Sequence, residues 1–424
     1  MNGNELLDKM EWVDPAYVTE ADARPARRGH GIWLRWAAAA ACVCLIGLTA
    51  WRALPQGGPS VDPVPDDLPL LTIPEDLSGG MGYEGYLAAD VSQLSNANPW
   101  TPAMELTHLP VFANPLLAEE AQTPAAQQAG AAAMQQRLEA AVEALGLTGQ
   151  VIWGEDHPTP EQEAEIREKL GADQEAEIRE KLGADAEAYL ASLSTPGERW
   201  AWAEGVTLRV DQTGSLEVKY DPPRPLPEGQ HLNWETAGPA DYARAAPALV
   251  QEYAPLLGME KPVVNVSGGD ATTEGTQLWT LSFYEGAGTP VEQILHYQFA
   301  QAAFIGSWEA ADSLWIIRLH GADLSRPVGD YPILTPDEAQ QLLCAGRYVT
   351  SVPGDTPAPE AVRKVELVYQ TDTWAPVWMP YYRFYVEMPP DWDVGGMHTY
   401  GAYYVPAVQP DYLTNLPQWD GSIQ

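Results

Sequence analysis

The sequence predicts an α+β protein: one N-terminal transmembrane helix, then two or three modules, each a helix followed by an antiparallel β-sheet. Three observations predict it. Trp36–Trp51 carries no charge and follows a basic cluster. Apolar residues recur at helical spacing near 135–145, 242–257 and 336–343. Each of these helical segments precedes short strands with β-branched or aromatic residues.

Residues 1–31 form the first segment. Leu6, Leu7, Met10 and Val13 repeat at helical spacing until Asp14-Pro15 stops the helix, and Tyr17 continues the apolar character. So short a helix is weak alone in water. This face is therefore the expected contact for a cytoplasmic regulatory protein.

The span is assigned to 32–54. The sixteen residues Trp36–Trp51 rise roughly 24 Å as a helix, and Ile32–Leu54 reaches the ~30 Å hydrocarbon core if Arg35 and Arg52 snorkel. Leu45, Ile46 and Leu48 supply the apolar body, while Trp36 and Trp51 supply interfacial indoles. These five are the expected anchor residues in the lipid bilayer. Arg27, Arg28 and Arg35 precede the span and only Arg52 follows closely. The positive-inside rule then puts the N-terminus in the cytoplasm and the C-terminal ectodomain outside the cell. A cleaved signal peptide fits less well, because the leader is long and acidic and no small-residue cleavage site closes the run.

Beyond the span, 55–75 reads as a proline-rich linker and 76–120 as an irregular but ordered arm, too aromatic for disorder. The first module is expected over 121–225 with a helical insertion at 159–192, the second over 235–325 and the third over 330–424. In the second, Gln293–Phe299 is expected as a strand. Leu145-Gly146-Leu147 and Leu257-Gly258-Met259 both place glycine after a helix, where it closes the last turn in the left-handed conformation. QEAEIREKLGAD occurs at 162–173 and again at 174–185, a duplication to which no function is assigned.

Composition excludes some functions. A formal net charge of −36 repels nucleic acid and other polyanions. Cys42 and Cys44 lie in the span and Cys344 sits alone at the end of an apolar helix, so no disulfide framework exists. Catalytic and nucleotide-binding motifs are absent, and the seven histidines show no metal-ligand spacing. No cofactor, metal or catalytic residue is expected. Asp391, Asp393 and His398 form the densest polar cluster, in a loop bounded by Pro-Pro and Gly-Gly. Ser267-Gly268-Gly269-Asp270 reads as a turn. PYYRFYVE (380–387) and TYGAYYVPAV (399–408) are expected as adjacent strands whose aromatics pair across the sheet, with an exposed binding platform as the lesser reading.

The opening ELLDKMEWVDPAYVTEAD…RRGHGIWLRWAAAAACVCLIG resembles uncharacterised single-pass membrane proteins of Gram-positive bacteria associated with extracytoplasmic-function sigma factors. GYEGYLAADVSQL, NANPWTPAMELTHLPVF, VGDYPILTPDEA, MPYYRFYVE and YGAYYVPAV resemble their ectodomains. The resemblance implies membrane anchoring and α/β modules of PepSY or Yyc-regulator type. It does not extend to a zinc-binding His-x3-Cys-x2-Cys, and the cytoplasmic part is shorter than a full anti-sigma domain. The expected function is a membrane-anchored, non-catalytic extracytoplasmic sensing or regulatory protein with an envelope ligand. The alternative is an ectodomain binding cell-wall glycan or peptide.

Overall fold

The structure, a computed structural model, describes residues 68–73, 85–95, 97–118, 121, 123–147, 151–155, 198–203, 205–233, 235–272, 275–308, 310, 312–371 and 375–419. The expected span 32–54 with Trp36, Leu45, Ile46, Leu48 and Trp51, the contact face of Leu6, Leu7, Met10, Val13 and Tyr17, and the repeat at 162–185 lie outside them. Among the described residues no helix is long and apolar enough to cross a membrane. The chain divides at Gly57/Gly58 into two units, and every described residue belongs to the second.

In chain order the strands are β1 (Gly85–Ala88), β2 (His108–Ala113), β3 (Ile152–Glu155), β4 (Glu198–Ala203), β5 (Val206–Asp211), β6 (Leu216–Pro225), β7 (Pro262–Ala271), β8 (Gln277–Glu285), β9 (Ala302–Gly306), β10 (Ser313–Leu319), β11 (Pro327–Pro332), β12 (Val362–Tyr369), β13 (Val377–Trp378), β14 (Pro380–Glu387) and β15 (His398–Pro406). The helices are α1 (Pro124–Ala144), α2 (Pro239–Glu252), α3 (Ala254–Leu257), α4 (Pro290–Phe299) and α5 (Pro336–Cys344).

The expectation of separate helix-plus-sheet modules is corrected. Twelve strands join one sheet in the order β12-β14-β15-β1-β7-β8-β9-β10-β6-β5-β4-β3, and β11-β2-β13 form a second, three-stranded sheet. The reason lies at the edges. A module ending on an unpaired strand would expose a row of N–H and C=O groups. Here β6, from the expected first module, pairs antiparallel with β10 of the expected second, from Leu216↔Leu319 to Pro225↔Ser313. The other join is β1, which lies in the expected arm. It pairs with β15 through Gly85↔Gly401, Tyr86↔Tyr400, Leu87↔Thr399 and Ala88↔His398, and with β7 at Leu87↔Gly269.

Ser267–Asp270 is therefore no turn. It is an irregularity inside β7, where the register with β8 shifts between Ser267 and Asp270. Gly269 has φ +119°, and a Cβ there would stand 2.7 Å from the Tyr86 ring. A residue without a side chain is what lets β1 reach this strand.

Three apolar cores support the sheet. Leu138 of α1 and Tyr242, Ala245 and Leu249 of α2 pack on inward residues of β4–β10 such as Leu208, Val218, Phe283, Phe304 and Ile317. Ile294 and Phe299 of α4 and Ala339 and Leu343 of α5 pack on Leu367, Tyr382, Phe384 and Tyr403. On the opposite face Tyr381, Tyr385, Tyr404 and Ala402 meet Val111 of β2, Tyr331 of β11, and Leu71 and Ile73. The aromatic strands do pair side by side, with Phe384↔Tyr403 and Tyr382↔Val405 in register, and their rings are buried on both faces. The end of the proline-rich segment also joins the body: Leu71 bridges Leu413, and the Tyr331 hydroxyl donates to the Pro69 carbonyl at 2.7 Å.

Gln293–Phe299 is helical, correcting the expected strand. Thr289 and Glu292 cap it reciprocally, with the Thr289 N–H donating to Glu292 Oε2 at 2.7 Å and the Glu292 N–H to Thr289 Oγ1 at 3.3 Å, and Pro290 opens the first turn. Gly146 and Gly258 close α1 and α3 with φ +64° and +61°, as their placement predicted.

A charged triad lies under the sheet join. Glu366, only 2% exposed, forms an ion pair with Lys364 Nζ at 2.7 Å and accepts from Arg383 Nη2 at 2.5 Å, and the Arg383 guanidinium sits 5.0 Å from the centre of the Tyr385 ring. Lys364 also donates to the Ser95 carbonyl at 2.7 Å, tying down the chain just after β1. Burial alone would raise the Glu366 pKa, but the Arg383 and Lys364 cations hold it below the ordinary carboxylate value.

Two outcomes are expected. Gly269→Ala should destabilise the protein by at least about 2 kcal/mol in chemical unfolding, from backbone strain and the Tyr86 clash; an unchanged midpoint would contradict the close approach of β1. Glu366→Gln should cost roughly 3–5 kcal/mol by leaving Arg383 and Lys364 buried without their counter-charge. Because the folded-state pKa of Glu366 is depressed, its contribution is complete above about pH 4.3 and lost as pH falls through the lower folded value. The variant should therefore lose less stability on acidification than the wild type. Parallel acid titrations of the two would refute the assignment.

Candidate functional site

The sequence of α1 opens a cleft. Thr123 Oγ1 caps the helix by accepting from the Ala126 N–H at 3.2 Å. Met134 and Leu138 turn into the core, whereas Arg137, Ala140, Ala141 and Ala144 line a cavity of about 570 Å³. These four stand at i, i+3, i+4 and i+7, one stripe of the helix. Three of them are alanines, too short to reach the opposite wall. That wall consists of Leu256 and Leu257 of α3, Leu295, His296 and Phe299 of α4, and His320, Gly321, Ala322 and Leu324 after β10. The volume falls within the range of small-molecule sites.

Arg137 is the central polar group. Its guanidinium lies over Gly321, where a Cβ would stand 2.7 Å from Nη1, and Nη2 reaches the Leu319 carbonyl at 3.5 Å. Burial lowers its pKa, and the more distant Asp211 charge opposes that shift, yet a guanidinium stays protonated throughout. Among the described residues no carboxylate lies within ion-pair reach of it. Arg137 lines the cleft, and among the described residues its guanidinium makes no other hydrogen bond.

The other polar groups are mostly committed. His296 Nδ1 lies 3.0 Å from the Glu285 carbonyl, which only accepts, so Nδ1 carries the proton and Nε2 is left as acceptor in the neutral ring. Glu292 caps α4, and its hydrogen bonds from Thr289 hold it below the ordinary carboxylate value. Gln301 Nε2 donates to the Tyr297 carbonyl. His320 sits at the rim, its pKa lowered by burial and by the nearby Arg318 charge, so that it is neutral at pH 7. Arg318 itself donates from Nε to Glu217 Oε2 at 2.8 Å. Among the described residues the arrangement offers an apolar trough with one cation, Arg137, that no carboxylate pairs.

The polar cluster singled out in sequence lies elsewhere. His398 Nδ1 is 3.2 Å from Asp393 Oδ2 and 3.8 Å from Glu387 Oε1, on the surface and outside the cleft, and Asp391 is exposed and does not join them. The Cys344 thiol is half-buried, its pKa raised by burial and by Glu360. Among the described residues no group of three or more His, Cys, Asp or Glu is placed to hold a metal ion. Arg137, His296 and His320 escaped sequence reasoning because they are far apart in the chain. One signal was available: a lone arginine on an alanine stripe, in AAAMQQRLEAAVEA.

No protein-family model matches the chain, and no curated protein matches it. A solved structure, the Bacillus megaterium YpeB C-terminal domain, is similar at a TM-score of 0.26 and 11% identity, over 68% of this chain and 97% of that one. At that score the likeness carries no argument about fold or function.

Gly321→Ala should shift the guanidinium rather than the fold, since the methyl would meet the far end of a flexible side chain. Its melting should stay within about 0.5 kcal/mol of wild type. A loss above roughly 2 kcal/mol would mean that rigid backbone, not Arg137, covers Gly321.

Proposed function

We propose that this chain is a membrane-anchored extracytoplasmic sensing or regulatory protein whose unit beyond Gly58 binds an envelope ligand in the α1–α4 cleft. The carrying observation is the cleft itself: an apolar trough of about 570 Å³ with one half-buried guanidinium that no described carboxylate pairs. Such sites, apolar with a few placed polar groups, suit small-molecule binding. The charge-free stretch Trp36–Trp51, with arginines before it, supports the anchor and its orientation. The apolar face of Leu6, Leu7, Met10, Val13 and Tyr17 would then meet a cytoplasmic regulatory protein. The alternative, wall-glycan or wall-peptide binding on an aromatic platform, would need other aromatics, because those of β14 and β15 are buried.

The test places a photo-reactive benzoylphenylalanine at position 140, on the cleft stripe, in the full chain in its native membrane. Position 139, on the far side of α1, is the control. Position 140 should yield a low-mass adduct by mass spectrometry that position 139 lacks. Identical spectra from both would reject the cleft as a ligand site.

A further inference from the structure

The chemistry of the cleft narrows what fits. Arg137 makes one long hydrogen bond, 3.5 Å to the Leu319 carbonyl, so water must satisfy its other donors. A purely apolar ligand closing over the trough would strip that water and leave a buried, unpaired cation, which is strongly unfavourable. The ligand must therefore bring an acceptor, and an anionic one pairs best with the planar fork of a guanidinium. Charge number is limited too. Among the described residues lining the cleft Arg137 is the one permanent cation, and Arg318, two residues before His320, is already engaged with Glu217, so a doubly charged head group finds no second permanent cation.

The body of the ligand is constrained as well. A peptide carries a donor and an acceptor at nearly every residue, and each needs a partner once buried. Glu292 Oε2 and Gln301 Nε2 are engaged with α4 and its cap, His296 Nε2 offers a single acceptor, and the side chains of Ala140, Ala144, Leu256, Leu295 and Phe299 offer no partner, too few for a peptide backbone. The overall charge of −36 repels polyanions, but a single charge loses little, because fields are screened beyond ~8 Å at physiological ionic strength.

We propose that the cleft binds a single-chain aliphatic carboxylate, its head paired with Arg137 and its chain lying along the apolar walls. This rests on the cleft being the ligand site. The alanine stripe gives the chain its room, and Gly321 lets the guanidinium lie flat beneath the head group.

The experiment titrates octanoate and 1-octanol calorimetrically into the full chain in lipid nanodiscs. Ala140→Trp, which fills the trough from an exposed helix position, serves as the blank for partition into lipid. Octanoate should bind saturably to wild type and not to Ala140→Trp, and octanol should bind at least roughly tenfold more weakly. Arg137→Gln should weaken octanoate by a similar factor, and Arg137→Lys should retain part of the affinity. Equal binding of acid and alcohol, or no effect of Arg137→Gln, would overturn the carboxylate while leaving the cleft as a ligand site. Octanoate binding that survives Ala140→Trp, or no binding by wild type, also overturns it, and the adduct at position 140 then decides the cleft reading by itself. Should Arg137→Gln fail to melt like wild type, the acid–alcohol comparison on wild type decides alone.

Discussion

The pairing of β1 with β15 on one side and β7 on the other is the contact on which the rest of the described unit depends. Four residues join a three-stranded group, β12-β14-β15, to the eight strands from β7 to β3. The join is narrow: four register pairs toward β15 and one toward β7. It holds because Gly269 carries no side chain to keep Tyr86 away, and because the chain after β1 is fastened immediately. Asp90 accepts from the Ser92 N–H at 2.9 Å, and Lys364 and Tyr284 donate to the Ser95 and Ala97 carbonyls at 2.7 and 2.8 Å. Lys364 belongs to the buried triad with Glu366 and Arg383, so the electrostatics of β12 and β14 and the placement of β1 are one problem.

The cleft inherits this dependence through α4. On one side His296 is fixed by the Glu285 carbonyl at the end of β8. On the other, Gln298 Oε1 accepts from the Tyr369 N–H of β12 at 3.0 Å, and Tyr297 meets Ser95 at 3.1 Å. The helix is thus held by both groups of strands that β1 unites. Ile294 lies in the core under β12 and β14, while Leu295 and Phe299 border both that core and the cleft. A change in the trough can therefore bear on the join, and the reverse.

Local chemistry was legible in the sequence wherever it was self-contained. Glycine after α1 and α3 closes both helices, α5 begins at Pro336, and the aromatic strands β14 and β15 pair as neighbours. What escaped was non-local. The pairing of β6 with β10 follows from the edge each strand would otherwise expose, which no window of sequence displays. β1 is four residues in a glycine-rich arm and gains its strand character from partners on two sides. Gln293–Phe299 alternates enough to read as a strand, and only Thr289, Pro290 and Glu292 upstream announce a helix. The cleft was not read from the sequence: its one local signal was a lone arginine among alanines, and its far wall comes from three distant segments.

The central claim is that β1 and α4 belong to one cooperative unit. Hydrogen exchange of the full chain, resolved to the peptides covering 85–88 and 290–299, tests it most directly. The account predicts that both peptides exchange through a common opening, with matching free energies and a shared dependence on denaturant. Rapid exchange of 85–88 while 290–299 stays protected to the global limit would contradict it.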